Sequence, residues 1–139
     1  MTKLQEIIKI MNNDYPIPLV EKIDLNEYSQ RILKNGHVVV CKKDSRIVAF
    51  VTFYANKHEE KEAAFSLLGV LKQFRKHDIA SKLFEISYDI MKSKGMETVF
   101  SYTHKENAVA IKFHLKMGFI IDEKRSTNQP YNISFIRKL

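Results

Sequence analysis

The residues best suited to chemistry lie in a short basic turn that precedes a helical pattern. Arg75, Lys76 and His77 stand directly before Ile79, where apolar residues begin to recur with helical spacing. The start of a helix carries backbone N–H groups without intrahelical acceptors and a partial positive charge, so it binds phosphate well. The sequence therefore predicts a phosphate-binding turn, reinforced by three basic side chains.

Asp78 occupies the position where such a turn would favour glycine. Its carboxylate is suited to cap the helix by accepting a hydrogen bond from the N–H of Ala80 or Ser81, a role worth typically ~1 kcal/mol. A carboxylate would also repel a phosphate, but Asp tolerates a positive φ better than most residues, and the basic neighbours can offset its charge. We expect Asp78 to be an N-cap in a turn that still binds phosphate through its backbone, more weakly than a glycine turn would.

The elements on either side of this turn form a β-α-β unit. The run KEAAFSLLGVL (61–71) predicts the strand before the turn, and ETVFSYTH (97–104) predicts the strand after the helix. The helix between them should bury Ile79, Leu83, Ile86 and Ile90, widened by Phe84 and Met91, and end at Gly95. Because a helix links these two strands, we expect them to be parallel.

Two further strands precede this unit and predict an antiparallel meander. HVVVCKK (37–43) and RIVAFVTFYA (46–55) are separated by Asp-Ser, the spacing of a hairpin. The polar segment NKHEEKE then indicates an exposed turn, so the second and third strands should also pair antiparallel.

The two ends of the chain complete the prediction. A first helix presents Leu4, Ile7, Ile8 and Met11 on one face. A second is capped by Asp24 with Glu27 at the capping-box position, buries Leu25, Tyr28 and Ile32, and ends at a left-handed Gly36. A later helix is capped by Asn107, buries Ala108, Ile111 and Leu115, and ends at Gly118, before the strands FIIDE and YNISFIRKL. The predicted order is α, α, β, β, β, α, β, α, β, β.

Length, composition and charge limit the classes of protein to which the chain can belong. The chain has 139 residues, 45% hydrophobic and 28% charged, which predicts one globular domain over residues 1–139. The net charge of +7 favours an acidic partner, but the basic residues are spread along the chain and not interleaved with aromatic ones, which weakens a nucleic-acid interpretation. The longest apolar run is too short to span a membrane, the first residues lack a secretory signal, and the single Cys41 is expected to be buried. We therefore expect a cytoplasmic protein with no membrane or nucleic-acid partner.

Two motifs resemble those of the GNAT (Gcn5-related) N-acetyltransferases. The stretch LLGVLKQFRKHDIASKLFE is similar to the family's acetyl-CoA-binding motif, Gln/Arg-x-x-Gly-x-Gly/Ala: Arg75 and Ala80 match its first and last positions, and Asp78 replaces its first glycine. The second motif, an Asn-led helix that ends in Gly-Phe, is matched by NAVAIKFHLKMGF, with Asn107, Ala110, Phe113, Lys116, Gly118 and Phe119 in register. The resemblance covers roughly residues 37 to 124.

This resemblance implies a fold and a cofactor. The fold would be α/β (α+β), with a mixed, mainly antiparallel sheet that is flanked by helices and splayed so that acetyl-CoA lies between two diverging strands. The backbone of Leu68, Gly69 and Val70, on a bulged strand, would bind the pantetheine arm. The pyrophosphate would be surrounded by Lys76, His77, Asp78, Ile79, Ala80 and Ser81, with Arg75, Asn107 and Lys116 as further cofactor-binding residues. No metal is implied.

The catalytic residues implied by the resemblance are His114 and Tyr102. His114 stands where the family usually has a Tyr that protonates the departing CoA thiolate, a role open to a histidine near neutral pH. From the residues alone, His114 is equally an ordinary surface or core-edge histidine. Tyr102 and His104, on the strand that would splay beside the cofactor, are alternative donors.

The remaining catalytic groups are less defined. A backbone N–H, that of Val70, would polarise the thioester oxygen. Glu59, Glu60 and Glu62 are candidate bases for the acceptor amine, but a solvated turn is their simpler explanation, and a water chain could serve instead.

The sequence thus predicts an N-acetyltransferase that moves acetyl from acetyl-CoA to a primary amine by direct attack. A small-molecule acceptor is slightly favoured over a protein, and a homodimer is compatible with the sequence. A catalytically silent CoA-binding or regulatory module is the alternative, since Asp78 and His114 both depart from the family pattern. A basic nucleic-acid-binding domain is a third and weaker interpretation.

Overall fold

The computed structural model describes Gln5, Ile8, and residues 24–75 and 78–139. Within these residues the helices are α1 (Leu25–Asn35), α2 (Ile79–Ser93), α3 (Ala108–Lys116) and α4 (Glu123–Ser126). The strands are β1 (His37–Lys43), β2 (Arg46–Lys57), β3 (Glu62–Val70), β4 (Thr98–His104), β5 (Ile120–Ile121) and β6 (Asn132–Lys138), and a 3-10 turn spans Lys72–Phe74. The predicted first helix lies outside the described residues apart from Gln5 and Ile8, which are both helical, and Ile8 is fully buried.

One six-stranded sheet carries the fold, with strand order β1-β2-β3-β4-β6-β5. Among the described strands, only β3 and β4 pair in parallel, and the other neighbouring pairs are antiparallel. The predicted hairpin between β1 and β2 is confirmed: Asp44 and Ser45 both have positive φ, as a two-residue hairpin turn requires. The mixed, mainly antiparallel sheet predicted from the sequence is therefore confirmed.

Helices cover both faces of the sheet. Thr52 and Phe53 are consecutive on β2 and so point to opposite faces. The Thr52 hydroxyl bonds Tyr28 of α1, whereas Phe53 packs against Phe65 of β3. Phe65 in turn stacks on Phe84 of α2, with ring centroids 4.0 Å apart. The helices α1 and α2 therefore lie on opposite faces of the sheet.

The buried face of α2 differs from the prediction. Ile86 is 48% exposed, and Ile90 is only partly buried. The residues buried on this helix are Ile79, Leu83, Phe84, Ser87, Tyr88 and Met91. Ser87 is tolerated inside because its hydroxyl donates to the Leu83 carbonyl. The aromatic rings of Phe84 and Tyr88 therefore belong to the buried face, whereas Ile90 lies at its edge and Ile86 outside it.

The predicted face of α3 is wrong for two of its three residues. Leu115 is 50% exposed and Ala108 is exposed, while Ile111 is partly buried. The buried side chain of this helix is His114. This polar side chain is tolerated in the core because both of its ring nitrogens have hydrogen-bond partners. The spacing of apolar residues along the helix does not predict such a buried histidine.

The helix ends show why their glycines are needed. Gly95 and Gly118 have φ of 82° and 90°, as predicted for left-handed C-terminal residues. Gly36 does not: its φ is −121°, so the expected left-handed cap is wrong. A Cβ at Gly36 would lie 2.5 Å from Ile32 Cδ1 and 2.9 Å from the Phe53 carbonyl oxygen. Close packing, not backbone conformation, therefore requires glycine at position 36.

The N-caps of α1 and α3 are as predicted. Asp24 accepts a hydrogen bond from Glu27 N–H at 3.0 Å, and Asn107 accepts one from Ala110 N–H at 3.1 Å. A helix that the sequence did not predict, α4, lies between the last two strands, where Asp122 caps it by accepting from Arg125 N–H. Its four residues are too few to show a helical period.

Candidate functional site

The two strands on either side of α2 diverge. Parallel pairing of β3 with β4 runs from Glu62 and Thr98 to Ala64 and Phe100. Beyond that point β3 continues along β2 as far as Val70, and β4 continues along β6 as far as His104. A cleft therefore opens between the carboxyl-terminal halves of β3 and β4.

A β-bulge lies on β3 where the cleft opens. Phe53 is paired with Phe65, but the preceding residue, Thr52, is paired with Leu67, so Ser66 is an extra residue in β3. The Leu67 N–H donates to the Thr52 hydroxyl at 3.0 Å. The bulge stands just before Leu68, Gly69 and Val70, the residues expected to line the cofactor arm.

The start of α2 lies at the end of β3, beyond the 3-10 turn. Asp78 has φ 55° and ψ 20°, a left-handed conformation that glycine adopts most readily. Within the described residues its side chain caps no N–H of the helix, so the predicted N-cap role is wrong. An N-cap normally has extended φ and ψ, and the left-handed backbone does not. The first-turn N–H groups of α2, including those of Ala80 and Ser81, therefore donate no hydrogen bond to this carboxylate.

Charged side chains surround the start of α2. Asp78 Oδ1 lies 3.9 Å from Lys116 Nζ of α3, with both side chains mostly exposed, so this ion pair contributes little to stability. Arg75 Nε donates to the Val70 carbonyl at 3.1 Å. A surface groove is lined in part by Asp78, Ser81, Lys82 and Lys116. Lys76 and His77 lie outside the described residues.

Asn107 and α3 border the other side of the cleft. The Asn107 N–H donates to the carbonyl of His104, the last residue of β4, at 3.0 Å. Its side-chain oxygen is used as the N-cap of α3. The structure thus brings the starts of both α2 and α3 to the ends of the two diverging strands.

His114 lies in the core beneath the cleft. Its side chain is 6% exposed, and its ring stacks on Phe135 with centroids 4.6 Å apart. Its Nδ1 lies 2.8 Å from the Ala110 carbonyl oxygen, and its Nε2 lies 2.8 Å from Ser101 Oγ. Burial lowers the pKa of His114, opposed by the bond to the carbonyl. This environment favours the core-edge interpretation of His114, and its part in catalysis stays a prediction.

Tyr102 lies on the part of β4 that has left β3. It is 53% exposed and paired with Ser134 of β6 on its other side. His104 Nδ1 accepts from Glu106 N–H at 3.1 Å. Tyr102 is thus the more accessible of the two predicted catalytic side chains.

The glutamates considered as bases lie at the opposite end of β3. Glu59 and Glu60 are exposed in the turn between β2 and β3. Glu62 is the first residue of β3, and its Oε1 accepts from Arg125 Nη2 at 2.6 Å, with a side chain 16% exposed. The solvated-turn interpretation therefore holds for Glu59 and Glu60, while Glu62 is an ion-pair residue.

Several polar residues at the site had no signal in the sequence. Tyr28, Thr52 and Ser66 meet at the bulge, and Arg125 lies over the Phe100 ring at 4.2 Å. For Tyr28 the sequence predicted only that it would be buried on an apolar helix face. The others lie in strands or in a helix too short to be predicted, so their convergence depends on the tertiary fold.

The sequence profile of the Acetyltransferase (GNAT) family matches residues 4–119 of this chain. The chain therefore belongs to the GNAT acetyltransferase family, which the cleft and the helix start had indicated. Over 81 residues, 58% of this chain, it is 27% identical to N-alpha-acetyltransferase 30 of Schizosaccharomyces pombe. That match covers 47%, about half, of the relative's length.

Solved structures share the fold. An acetyltransferase of the GNAT family from Staphylococcus aureus Mu50 superposes with a TM-score of 0.78 at 21% identity, covering 98% of this chain and 90% of its own. A GNAT acetyltransferase from Elizabethkingia anophelis with acetyl-CoA bound has a TM-score of 0.68 at 16% identity, with coverage of 81% and 82%. PaiA N-acetyltransferase from Thermoplasma acidophilum, in complex with coenzyme A, has a TM-score of 0.70 at 21% identity, with coverage of 83% and 69%. Two of these structures thus hold CoA or acetyl-CoA. Because the family match and the curated relative are acetyltransferases, the catalytically silent alternative is not favoured.

Among the described helices, none combines the length and the apolar character that a membrane span needs. In residues 24–75 and 78–139, no three His, Cys, Asp or Glu side chains are grouped as metal ligands.

Proposed function

We propose that this protein is an N-acetyltransferase that moves acetyl from acetyl-CoA to a primary amine. The observation that carries the proposal is the divergence of β3 and β4 beyond Ala64 and Phe100, with a left-handed Asp78 opening α2 at the mouth of the cleft. A helix start with uncapped N–H groups favours a pyrophosphate, and a strand edge facing a cleft can bind the amide groups of a pantetheine arm.

The residues that would hold acetyl-CoA fall into two groups. The backbone of Leu68, Gly69 and Val70 would bind the pantetheine arm. The residues from Lys76 to Ser81 would bind the pyrophosphate through backbone N–H groups, with Arg75, Asn107 and Lys116 nearby. The negative charge of Asp78 is partly offset by Lys116, which lies 3.9 Å away.

The proposed reaction is direct acyl transfer. A neutral amine attacks the thioester carbonyl, whose oxygen is polarised by a backbone N–H such as that of Val70. The C–S bond breaks as the C–N bond forms, the attacking nitrogen gives up a proton to solvent through a water chain, and the CoA thiolate takes a proton from a donor in the cleft that solvent then reprotonates. We assign that proton to Tyr102 in preference to His114, because Tyr102 is half exposed and both ring nitrogens of His114 are already bonded.

The acceptor amine is proposed from the relatives of the chain and not from the geometry of the site. The likeness to an N-alpha-acetyltransferase raises a protein N-terminus as one acceptor, and the likeness to a putative streptothricin acetyltransferase from Bacillus anthracis raises a small-molecule amine. We slightly favour a small molecule, acting in the cytoplasm without a nucleic-acid or membrane partner. A homodimer is compatible with this proposal.

The first test is cofactor binding. A ligand that binds only the folded state at 100 times its Kd adds about 2.7 kcal/mol to the free energy of unfolding. Saturating acetyl-CoA should therefore raise Tm by several degrees, and pantetheine, which lacks the pyrophosphate, should raise it less. Absence of any shift at millimolar acetyl-CoA would overturn the cofactor assignment.

The second test is turnover. Release of free CoA thiol from acetyl-CoA should be measured against a panel of polyamines, amino sugars, amino acids and peptides with free N-termini. Acceptor-dependent thiol release by the wild-type chain is the expected result. A chain that binds acetyl-CoA but releases thiol with none of these acceptors would contradict the activity while leaving the cofactor site intact.

A further inference from the structure

Three hydroxyl groups from three different elements form one hydrogen-bonded chain at the bulge. The Tyr28 hydroxyl of α1 lies 2.7 Å from Thr52 Oγ1 of β2 and 2.8 Å from Ser66 Oγ of β3. The Leu67 N–H donates to the same Thr52 oxygen at 3.0 Å. Tyr28 and Thr52 are 4% and 0% exposed, so water does not compete for these bonds.

The three linked hydroxyl groups provide hydrogen-bond partners where the bulge disturbs the pairing of β2 and β3. Because Ser66 is an extra residue, Ser66 and Leu67 both stand opposite Thr52, and the ladder of backbone hydrogen bonds is disturbed there. A buried N–H without an acceptor is costly. The Thr52 hydroxyl accepts from Leu67 N–H, and Tyr28 then ties Thr52 to Ser66.

The bulge also sets the direction of the backbone that follows. A shift of one residue in a strand turns each later side chain to the other face of the sheet. Leu68, Gly69 and Val70 come next, opposite Val51, Phe50 and Ala49. The conformation of Ser66 and Leu67 therefore decides which groups of these three residues face the cleft.

We propose that Tyr28 and Thr52 are positioning residues, which hold the bulge at Ser66 so that the following backbone of β3 binds the pantetheine arm of acetyl-CoA. This inference rests on the proposed function. Neither side chain needs to touch the cofactor: they act through Ser66 and Leu67. Because Tyr28 lies on α1, the position of α1 also affects the conformation of the bulge.

Thr52→Val provides the sharpest test, because valine keeps the shape of threonine and removes its oxygen. The two ligands to compare are acetyl-CoA, which has the pantetheine arm, and adenosine 3′,5′-bisphosphate, which lacks it. Titration calorimetry well below Tm should show acetyl-CoA affinity falling roughly tenfold, the effect of one lost hydrogen bond. Affinity for adenosine 3′,5′-bisphosphate should stay within about twofold of wild type.

Matched variants separate positioning from a general loss of stability. Thr52→Ser keeps the hydroxyl and should restore most of the acetyl-CoA affinity. Tyr28→Phe removes the link to Ser66 and should weaken acetyl-CoA in the same selective way. Ser87→Ala removes another buried hydroxyl, one that donates to Leu83 within α2, and should leave both affinities unchanged.

Amide hydrogen exchange reports on the bulge itself. In Thr52→Val the Leu67 amide should exchange faster, while the amide of Val99, in the core of β4, should keep its protection. Unchanged acetyl-CoA affinity in a folded Thr52→Val would overturn the inference. Equal losses for both ligands would also overturn it, since they would indicate general disruption. If wild type itself failed to bind acetyl-CoA, the proposed function would fail instead.

Discussion

The Nε2 atom of His114 lies 2.8 Å from Ser101 Oγ, and its Nδ1 atom lies 2.8 Å from the Ala110 carbonyl oxygen. A carbonyl oxygen can only accept, so Nδ1 carries a proton and Nε2 of the neutral ring accepts from the serine hydroxyl. Burial lowers the pKa of this ring. The folded protein therefore holds His114 as one neutral tautomer.

This arrangement predicts a pH dependence of stability. The unfolded chain binds a proton at His114 near its ordinary pKa of about 6.5, whereas the folded chain resists protonation. The unfolded state thus binds more protons, and the free energy of unfolding should fall as pH drops from about 6.5 toward the lower pKa of the folded state. Urea unfolding between pH 7.5 and 5 measures this slope.

His114→Gln should flatten that slope, because glutamine does not titrate. His37, whose pKa is also lowered by burial and then by Lys94, should maintain part of it. Equal slopes in wild type and His114→Gln would contradict the neutral buried ring.

The assignment of the proton donor predicts opposite outcomes at two positions. Tyr102→Phe should lower kcat and kcat/KM about equally, by roughly 10²-fold or more, with acetyl-CoA affinity unchanged. His114→Phe should lower Tm but keep kcat within a few-fold, since it loses two buried hydrogen bonds and no donor of the cleft. Rates with a confirmed acceptor decide between them. A large loss of kcat in His114→Phe alone would instead identify His114 as the proton donor.

Replacing Asp78 should strengthen cofactor binding. Glycine adopts the left-handed conformation without steric cost, and within the described residues the Asp78 side chain caps no N–H of α2, so Asp78→Gly loses no cap. Removing a carboxylate beside a pyrophosphate should raise acetyl-CoA affinity a few-fold, and more so at low salt. Calorimetry at two ionic strengths measures this effect.

Asp78→Asn separates charge from backbone conformation, since asparagine also tolerates a positive φ. It should share the gain in affinity. A tenfold loss of affinity in both variants would mean that the carboxylate contacts the ligand or orders the turn, which would contradict binding by the backbone alone.

Gly36→Ala should destabilise the fold by about 1–3 kcal/mol through overpacking. Its added Cβ would overlap Ile32 Cδ1 and the Phe53 carbonyl oxygen. Gly95→Ala is the comparison: a Cβ there meets no atom of the described residues within 4 Å, but its φ of 82° costs about 1–2 kcal/mol. Chemical denaturation gives both values. A neutral Gly36→Ala would show that β2 and α1 can move apart.

The sequence by itself determined the local elements and the two motifs. The apolar runs of β1 to β3, the Asp-Ser hairpin, the caps Asp24 and Asn107, and the glycines at 95 and 118 each depend on neighbours along the chain, so the sequence predicts them. The family, and hence the splayed sheet, followed from the order and spacing of the motifs around Arg75 and Asn107.

Tertiary structure alone decided which side chains meet. Asp78 had the chemistry of an N-cap, but the turn that connects β3 to α2 requires a left-handed backbone, which turns its carboxylate away from the helix. His114 interrupts an apolar face, yet Ser101 and Ala110 make it a core residue. Tyr28, Thr52 and Ser66 lie on three elements and join only because a bulge shifts β3 by one residue, a displacement that depends on pairing with β2 and leaves no mark in the local sequence.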